Sequence, residues 1–374
     1  MNLEPFLDSA ARLLAIESTA QQPGGLRDAL NFVLDFAGPG WTAECFESNG
    51  KPSALVYAVR DGAAGGRPDF GVILNGHLDV VPAPADQFRP HRDGHRLYAR
   101  GAQDMKVSGL VMALVFRELA RELPYPLGLQ LVTDEETGGH DGTLHQLGQG
   151  VRTGFAILGE SSGLRIVTES KGIATVTLAA DGRNAHGAYP WLGDNALLKL
   201  TGTLDRIMTA YPVPAAEAWR TTVNVARIDT PNRAFNQVPA QAEAWLDIRF
   251  PAGDPDLDGK TREEVAAYLA GFCEPGVTPA VRHLDSPAHA DTASPRIAAL
   301  QHAARRQGFD GGFLRKHGTG DARFYRRHGI DAVSFGVGGE GQHGPHEYVD
   351  ISTIIPYYEA LSEFLTTVTP NDSH

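Results

Sequence analysis

The spacing of apolar residues over the first twenty positions predicts an amphipathic helix. These residues recur at intervals of three or four, which places them on one helical face. They are Leu3, Phe6, Leu7, Ala10, Leu13 and Leu14. No basic region followed by an apolar region precedes them, so we interpret this segment as the first helix of a folded domain rather than a signal peptide.

From residue 72 to residue 160, short apolar runs alternate with stretches of helical spacing. Strands are predicted at "GVILNG", "LGLQLVTDEE" and "FAILGESS", and a helix at "SGLVMALVFRELAREL". The same alternation returns near the end of the chain, with helices at "SPRIAALQHAARRQG" and "STIIPYYEALSEFLTTV" and a strand at "AVSFGVGG". Strands separated by helices indicate an α/β domain with a mostly parallel sheet.

The middle of the chain has a different order of elements. Strands are predicted at "GIATVTLAA", "TTVNVARI", "AEAWLDIRF" and "PAVRHLD", and helices at "NALLKLTGTLDRIM" and "REEVAAYLAGF". Their order, β-α-β-β-α-β, is that of a ferredoxin-like α+β domain. We therefore expect a catalytic-size α/β domain in two segments, 1–172 and 286–374, with the ferredoxin-like domain inserted at 173–285.

Composition narrows the possible partners. The chain has 374 residues, 33 Lys and Arg against 45 Asp and Glu, and a net charge of -12. Without a basic run, nucleic acid and anionic membranes are excluded as expected partners. Cys45 and Cys273 are too few for a disulfide framework or a cysteine metal site, and we expect reduced thiols in a cytoplasmic protein.

The metal-capable side chains gather after the predicted strands. They are His77 and Asp79 after the first, Glu135 and Glu136 after the second, Glu160 after the third, His343 after the last, and Asp104 on a glycine-bounded loop before a helix. Open α/β sheets build their sites at the carboxyl ends of the strands. Taken singly, each residue also fits an ordinary structural role, such as a helix cap for Asp104 or a solvated turn for the glutamates. Their convergence on one edge favours a metal site.

The donor types indicate which metal to expect. Imidazoles and carboxylates without thiolate suit zinc or a similar divalent ion. Two histidines and four carboxylates exceed the needs of one ion and favour a pair of ions bridged by a carboxylate. A mononuclear form, with the second site only partly filled, stays open. Asp79, two residues after His77, is expected to orient its imidazole.

Six motifs in this order resemble those of the dinuclear zinc amidohydrolase and peptidase family. They are "GHLDVVP", "RGAQDMK", "TDEETGG", "GES", "AHGAYPWLGDNA" and a terminal H-x-x-x-E-Y-V. The family contains acetylornithine deacetylase, succinyl-diaminopimelate desuccinylase, aminoacylase and glutamate carboxypeptidase. The resemblance implies two Zn²⁺ per subunit, for which Co²⁺ or Mn²⁺ substitutes, and an inserted lid or dimerisation domain in a homodimer.

The resemblance also implies a role for each matching residue. His77 and Glu160 would complete one metal site, Glu136 and His343 the other, with Asp104 bridging and Glu135 as general base for a zinc-bridged hydroxide. His186, entering from the inserted domain of a partner subunit, would stabilise the oxyanion. Asn236, Arg249 and Arg323 would hold the substrate's carboxylate or backbone. On pattern alone, a cross-strand ion pair explains Arg249 equally well, and a local pair with Asp321 explains Arg323.

Two histidines compete for the last ligand position. His343 is preferred over His346 because the family's ligand usually lies four residues before the glutamate of the terminal motif, here Glu347. His346 stands where the desuccinylase signature has asparagine.

The expected activity is metal-dependent hydrolysis of an amide bond. The substrate would be a small anionic N-acyl amino acid, or a peptide that loses its C-terminal residue, with arginines gripping the carboxylate. A dipeptidase is the alternative within the enzyme class, and a non-catalytic scaffold of the same fold is the alternative outside it.

Overall fold

The computed structural model describes residues 1–59 and 66–368, so the last six positions of the predicted segment 286–374 lie outside the described residues. The chain forms two compact units. The first comprises Met1–Thr168, His289–Arg315 and Gly320–His374, and the second comprises Glu169–Ala288 and Lys316–Thr319. The short stretch Lys316–Thr319 joins the second unit through backbone contacts: Lys171 N–H donates to the Lys316 carbonyl (3.2 Å), and the Thr319 hydroxyl donates to the Lys171 carbonyl (2.7 Å).

The helices and strands of the described residues follow in chain order. The helices are α1 Leu3–Leu14, α2 Pro23–Ala37, α3 Lys106–Leu119, α4 Thr143–Gly148, α5 Ala196–Ala210, α6 Arg262–Ala270, α7 Pro295–Arg306, α8 Ala322–Arg327 and α9 Ile354–Thr367. The strands are β1 Thr42–Ser48, β2 Lys51–Tyr57, β3 Val72–His77, β4 His91–Asp93, β5 Arg96–Tyr98, β6 Leu127–Val132, β7 Ala156–Leu158, β8 Ile166–Ser170, β9 Gly172–Asp181, β10 Thr222–Asp229, β11 Gln241–Phe250, β12 Val277–Asp285, β13 Ala288–His289, β14 Phe313–Lys316, β15 Ala332–Ser334, β16 Gly339–Glu340 and β17 Tyr348–Asp350.

The large sheet has a parallel centre and antiparallel flanks. Its strand order is β1-β2-β6-β3-β7-β15-β8-β13, and β14 pairs with β8. Strands β6, β3, β7 and β15 run parallel, whereas β1, β2 and β6 pair antiparallel, as do β15 and β8. The predicted mostly parallel sheet is thus confirmed for its centre. The flank departs from it because β1 and β2 form a tight hairpin through Asn49 and Gly50, both at positive φ (46° and 75°).

Helices pack on this sheet through the apolar faces that the sequence indicated. All six apolar residues predicted for the first helix lie in α1. Five of them are buried, namely Phe6, Leu7, Ala10, Leu13 and Leu14, and Leu3 packs against the core. Helix α3 approaches β3 closely, because a Cβ at Gly76 would lie only 3.3 Å from the Gly109 Cα. This close contact fixes the end of β3, where His77 follows Gly76. Within the described residues, no helix has the length and apolar composition needed to cross a bilayer.

The second unit has the predicted ferredoxin-like element order. Its antiparallel sheet has the order β10-β11-β9-β12, and α5 and α6 complete the unit. The alternation in β11 is confirmed, since every second side chain is buried. These are Ala242, Ala244, Leu246, Ile248 and Phe250. Strand β10 lies at the edge of this sheet. A further four-stranded sheet, β16-β17-β5-β4, belongs to the first unit.

Candidate metal centre

The parallel strands of the first unit carry the metal-capable side chains at one edge. His77 is the last residue of β3, Glu135 and Glu136 form a short 3-10 turn after β6, and Glu160 follows β7 by two residues. Because β3, β6 and β7 run parallel, their carboxyl ends meet at the same edge of the sheet. The sheet thus brings together residues that are far apart in the sequence.

Asp104 presents one oxygen to each of two histidines. Its Oδ1 lies 3.0 Å from Nε2 of His77, and its Oδ2 lies 3.2 Å from Nε2 of His343. Glu160 Oε1 lies 3.4 Å from the same nitrogen of His77, and Glu136 Oε1 lies 3.1 Å from that of His343. The carboxylate of Asp104 therefore stands between two imidazole–glutamate pairs.

The donor atoms form two groups, each with the composition of a metal site. His77, Glu135 and Glu160 form one group, and Asp104, Glu136 and His343 form the other; within each, the donor atoms lie within 4.8 Å of one another. One imidazole nitrogen and two carboxylate oxygens per group suit zinc or a similar divalent ion. The residues present thus fit the metal that the sequence led us to expect.

The electrostatics of the groups favour a bound cation. Burial, followed by repulsion from Glu160, raises the pKa of Glu135 well above its usual value, and burial also raises the pKa of Glu136. Burial lowers the pKa of His77, but hydrogen bonds to Asp104, Asp79 and Glu160 outweigh it, and the net shift is well upward. Bonds to Asp104 and Glu136 raise the pKa of His343 to about 10. The cluster holds protons tightly, and a divalent ion competes for the same lone pairs.

Asp79 anchors the turn that carries the two glutamates. Its carboxylate accepts the backbone N–H of Glu135 (3.3 Å) and of Glu136 (3.0 Å). The Nδ1 of His77 lies 3.0 Å from the backbone carbonyl of Asp79 and 3.5 Å from its carboxylate. The spacing of residues in the sequence predicted only the contact between Asp79 and His77. The bonds from Asp79 to the turn Glu135–Thr137, here called the glutamate turn, depend on how β3 and β6 pair.

Three residues that the sequence did not assign to the metal centre contact its side chains or loops. They are Arg100, Gln342 and Glu347. Glu347, used there only to measure spacing, is buried and forms an ion pair with the buried Arg100. Gln342 donates a hydrogen bond to Oδ2 of Asp104. Arg100 lies in the "RGAQDMK" motif and the other two lie beside His343, so their proximity to predicted ligands is the signal that was available. Their partners, separated from them by more than 200 positions, were not predictable from spacing.

Of the two competing histidines, the structure brings His343 and not His346 to Asp104 and Glu136. His346 instead lines a separate cavity of about 710 Å³ next to Tyr98 and Tyr348.

Arg323 is buried beneath the glutamate turn. Its guanidinium donates to the carbonyl of Gly138 (2.6 Å) and lies 3.6 Å from Oδ1 of Asp321. The local pair with Asp321, one of the two explanations that the sequence left open, is therefore present. A role for Arg323 in holding substrate stays a prediction.

The remaining predicted residues lie in the second unit. His186 forms a bridge with Gln237, and the adjacent Gly187 N–H donates to the carbonyl of Asn236 (2.7 Å), so the loops of His186 and Asn236 lie side by side. Arg249 makes two bonds to the carboxylate of Asp247 (2.6 and 3.0 Å) and one to the Thr319 hydroxyl (3.2 Å). Its ion pair is thus with a residue of the same strand, not with one across the sheet.

The chain is similar to known hydrolases in sequence. Residues 73–367 match the model of peptidase family M20/M25/M40. The chain is 30% identical over 380 residues to a succinyl-diaminopimelate desuccinylase of Acidiphilium cryptum, a match covering 96% of this chain and 97% of that protein. It is 36% identical over 220 residues to a probable carboxypeptidase of Aspergillus terreus, covering 54% of this chain and 49% of that protein. The chain thus spans about half the length of the fungal relative.

Solved structures share the fold at low sequence identity. A tripeptidase from Staphylococcus aureus has a TM-score of 0.78 at 18% identity, covering 98% of both chains. An M20 family metallo-carboxypeptidase from Sulfolobus solfataricus has a TM-score of 0.73 at 18% identity, covering 97% of this chain and 99% of that chain. Because the family model matches most of this chain, the chain belongs to peptidase family M20/M25/M40, a family of metal-dependent hydrolases.

Proposed function

We propose that this hydrolase uses two zinc ions to cleave the amide bond of a small anionic N-acyl amino acid, or to remove the C-terminal residue of a peptide. The observation that carries the proposal is the position of Asp104, which faces His77 with one carboxylate oxygen and His343 with the other. A carboxylate with this geometry suits a bridge between two adjacent ions.

The proposed ligands are taken from the two donor groups, with Glu135 of the first group kept as the base. His77 and Glu160 would hold one ion, Glu136 and His343 would hold the other, and Asp104 would be a ligand of both. When bound, the ions polarise the scissile carbonyl and lower the pKa of the attacking water. Co²⁺ or Mn²⁺, with similar preferences for nitrogen and oxygen donors, substitutes for zinc.

Glu135 is the proposed general base. It belongs to the donor group of His77 and Glu160, and its backbone is anchored by Asp79. Glu135 accepts a proton from the attacking water as the new C–O bond forms. It then passes this proton to the leaving nitrogen as the C–N bond breaks.

His186 is the proposed oxyanion donor. The N–H of Ala188 donates to its Nδ1 (3.1 Å), so in the neutral imidazole the proton resides on Nε2. This tautomer gives His186 a hydrogen-bond donor for a negatively charged oxygen. Asn236, Arg249 and Arg323 are proposed to hold the substrate's carboxylate or backbone. To bind the substrate, the guanidinium of Arg249 would have to contact the substrate and Asp247 at the same time.

The substrate class is supported by the relatives. One is named a desuccinylase and another a probable carboxypeptidase, and both names describe cleavage of an amide bond next to a carboxylate-bearing residue.

The test of the proposed function is hydrolysis of N-acetyl and N-succinyl amino acids and of dipeptides by the zinc- or cobalt-loaded protein and by the chelator-stripped protein. Metal-dependent release of an amino acid from one acyl class is the expected result. Cleavage confined to dipeptides would make the protein a dipeptidase, and two bound ions without turnover on any substrate would support a scaffold.

Glu135→Gln tests the assignment of the base. We expect the variant to bind the same number of zinc ions as the wild type while kcat falls by about 10²–10⁴-fold. Glu122→Gln, a change at an exposed glutamate in the same unit, is the matched control and is expected to keep wild-type kcat. Comparable activity in Glu135→Gln would refute the role.

We also infer that the second unit pairs with a second copy to form a homodimer. Strand β10 is an edge strand, and edge strands offer unpaired backbone groups to another chain. The same unit exposes large apolar side chains, among them Trp191, Leu192 and Leu198. Light scattering measures the mass directly, and Leu198→Glu is expected to shift a dimer towards the monomer. A wild-type mass of one chain, 40.1 kDa, would contradict the inference.

A further inference from the structure

A buried ion pair fastens together two loops of the metal centre. Arg100 is 3% exposed and Glu347 is 2% exposed, and the guanidinium of Arg100 contacts Oε2 of Glu347. The other oxygen, Oε1, accepts the backbone N–H of Gln103 (3.0 Å) and of Asp104 (3.2 Å). Glu347 therefore holds the backbone of Asp104 at the same time as it holds Arg100.

The second arm of Arg100 reaches the loop of His343. Its Nη2 donates to the carbonyl of Gly344, the residue directly after His343 (3.2 Å). We call Arg100 and Glu347 together the clamp. It links the loop 100–104, which supplies Asp104, to the loop 341–347, which supplies His343.

His343 differs from His77 in its exposure and in its backbone conformation. Its side chain is 47% exposed, whereas that of His77 is 1% exposed. Its backbone adopts a φ of 62°, in the left-handed region that residues other than glycine rarely occupy. Such a conformation persists where neighbouring contacts over-determine it. The bond from Arg100 to Gly344 is one such contact, next to the turn that the Gly344 N–H closes with the Gly341 carbonyl (2.7 Å).

The first donor group is held by other means. His77 belongs to strand β3 and its Nδ1 lies against the Asp79 carbonyl, and Glu160 follows strand β7. The proposed ligands of the first ion are His77, Glu160 and the shared Asp104, and among the described contacts only Asp104 of these three is hydrogen-bonded to the clamp. A loosened clamp thus displaces both Asp104 and His343 in the second group, but only the shared ligand in the first.

We propose that the Arg100–Glu347 clamp is a positioning device that sets the affinity of the second group, Asp104, Glu136 and His343, for its metal ion, and so decides whether the centre holds one ion or two. The proposal rests on the proposed function, because it requires that both groups bind metal. Neither Arg100 nor Glu347 is a ligand; both act through Asp104 and His343.

The test is the stepwise binding of zinc by wild type and clamp variants. Glu347→Gln keeps an oxygen for the two backbone N–H groups but loses the charge that pairs with Arg100, and Arg100→Lys keeps the charge but loses the two-armed contact. Zinc per chain is measured by mass spectrometry after dialysis against buffers of defined free zinc, and cobalt absorption reports the ligand geometry. We expect the second Kd to rise by about 10–100-fold, as for other residues that orient ligands, and the first Kd to change by less than about threefold. Glu347→Ala should shift the second Kd furthest.

Glu44→Gln is the matched control, because it removes the charge from the partly buried Arg67–Glu44 ion pair of the same unit (2.9 Å) without contacting either loop. It should change neither Kd. If Glu347→Ala fails to fold, the Gln and Lys variants still decide the question, with thermal unfolding measured on each. A wild type that binds two ions, with variants whose two Kd values are unchanged or rise equally, would overturn the clamp alone. A wild type that binds no zinc would overturn the proposed function, and the clamp with it.

Discussion

The Asp79→Asn substitution separates two roles of Asp79, which lies two residues after His77. The carboxylate of Asp79 is buried and accepts the N–H groups of Glu135 (3.3 Å) and Glu136 (3.0 Å). Asparagine keeps one oxygen acceptor and turns an NH2 group towards the other N–H. A hydrogen bond to a charged group contributes about 1.5–3 kcal/mol, so losing one should lower the free energy of unfolding by that amount. We also expect kcat to fall by about 10²-fold, because the turn that carries Glu135 loses its anchor.

Zinc affinity at the first group should change little. The nearest acceptor of His77 Nδ1 is the Asp79 backbone carbonyl, at 3.0 Å, and substitution of the side chain leaves that carbonyl in place. The variant should therefore keep the proton on Nδ1 of His77, which would leave the Nε2 lone pair available for the proposed metal ion. If the carboxylate, 3.5 Å away, were instead the group that orients the imidazole, the substitution should weaken zinc binding by about 10–100-fold.

The assay combines three measurements on each variant: urea unfolding followed by circular dichroism, the first Kd for zinc, and kcat. Asp141→Asn is the control, since Asp141 lies between β6 and α4, in the segment that carries Glu135 and Glu136, but its carboxylate accepts hydrogen bonds from Ser48 (2.6 Å) and Asn49 (2.8 Å). A loss of first-site zinc affinity in Asp79→Asn, with the free energy of unfolding unchanged, would refute the reasoning.

Three further predictions concern stability. Burial raises the pKa of Asp321 from 3.8 to about 6, so the folded state holds a proton that the unfolded state releases, and this destabilises the fold increasingly as pH rises from about 4 to about 6. The difference in the free energy of unfolding between Asp321→Asn and wild type should therefore shift in favour of the variant as pH rises through that window, by roughly 2–3 kcal/mol in total, and a pH-independent difference in urea unfolding would contradict this. Adding zinc at a hundredfold excess over its Kd should stabilise the chelator-stripped protein by about 2.7 kcal/mol in thermal unfolding, and an unchanged midpoint would argue against a metal site. Phe250→Ala, at a fully buried position of β11, should cost about 3–5 kcal/mol, whereas the control Phe235→Ala, at a fully exposed position, should cost little.

The sequence predicted those features that depend on local periodicity. The faces of α1 and β11 followed from spacings of three or four and of two, because burial of one face selects the apolar positions. The positions of His77, Glu136 and Glu160 at one sheet edge followed from strand ends, since parallel strands align their carboxyl ends. These inferences needed no knowledge of which side chains touch.

The pattern of apolar and polar residues could not predict contacts between segments that are distant in the sequence. The pairing of Arg100 with Glu347 depends on the return of the chain after β15, and the bonds from Asp79 to the glutamate turn depend on the register of β3 and β6. Arg249 illustrates the same limit at short range. An arginine on a strand can reach a neighbour across the sheet or two residues along its own strand, and the structure shows Asp247 as its partner.

The place of β15 in the sheet has a consequence for synthesis of the chain. Strands β7 and β8 are neighbours in sequence, but β15 lies between them in the sheet. While the ribosome makes the inserted unit and then α7 and α8, the edge of β7 lacks its final neighbour. At about 5–20 residues per second, that interval is on the order of ten seconds or more. An open strand edge is a site of misassociation for as long as it lasts. The first unit of the nascent chain is therefore exposed to misassociation from the synthesis of β7 until that of β15, and His343, which follows β15, joins the other metal-capable residues only when that exposure ends.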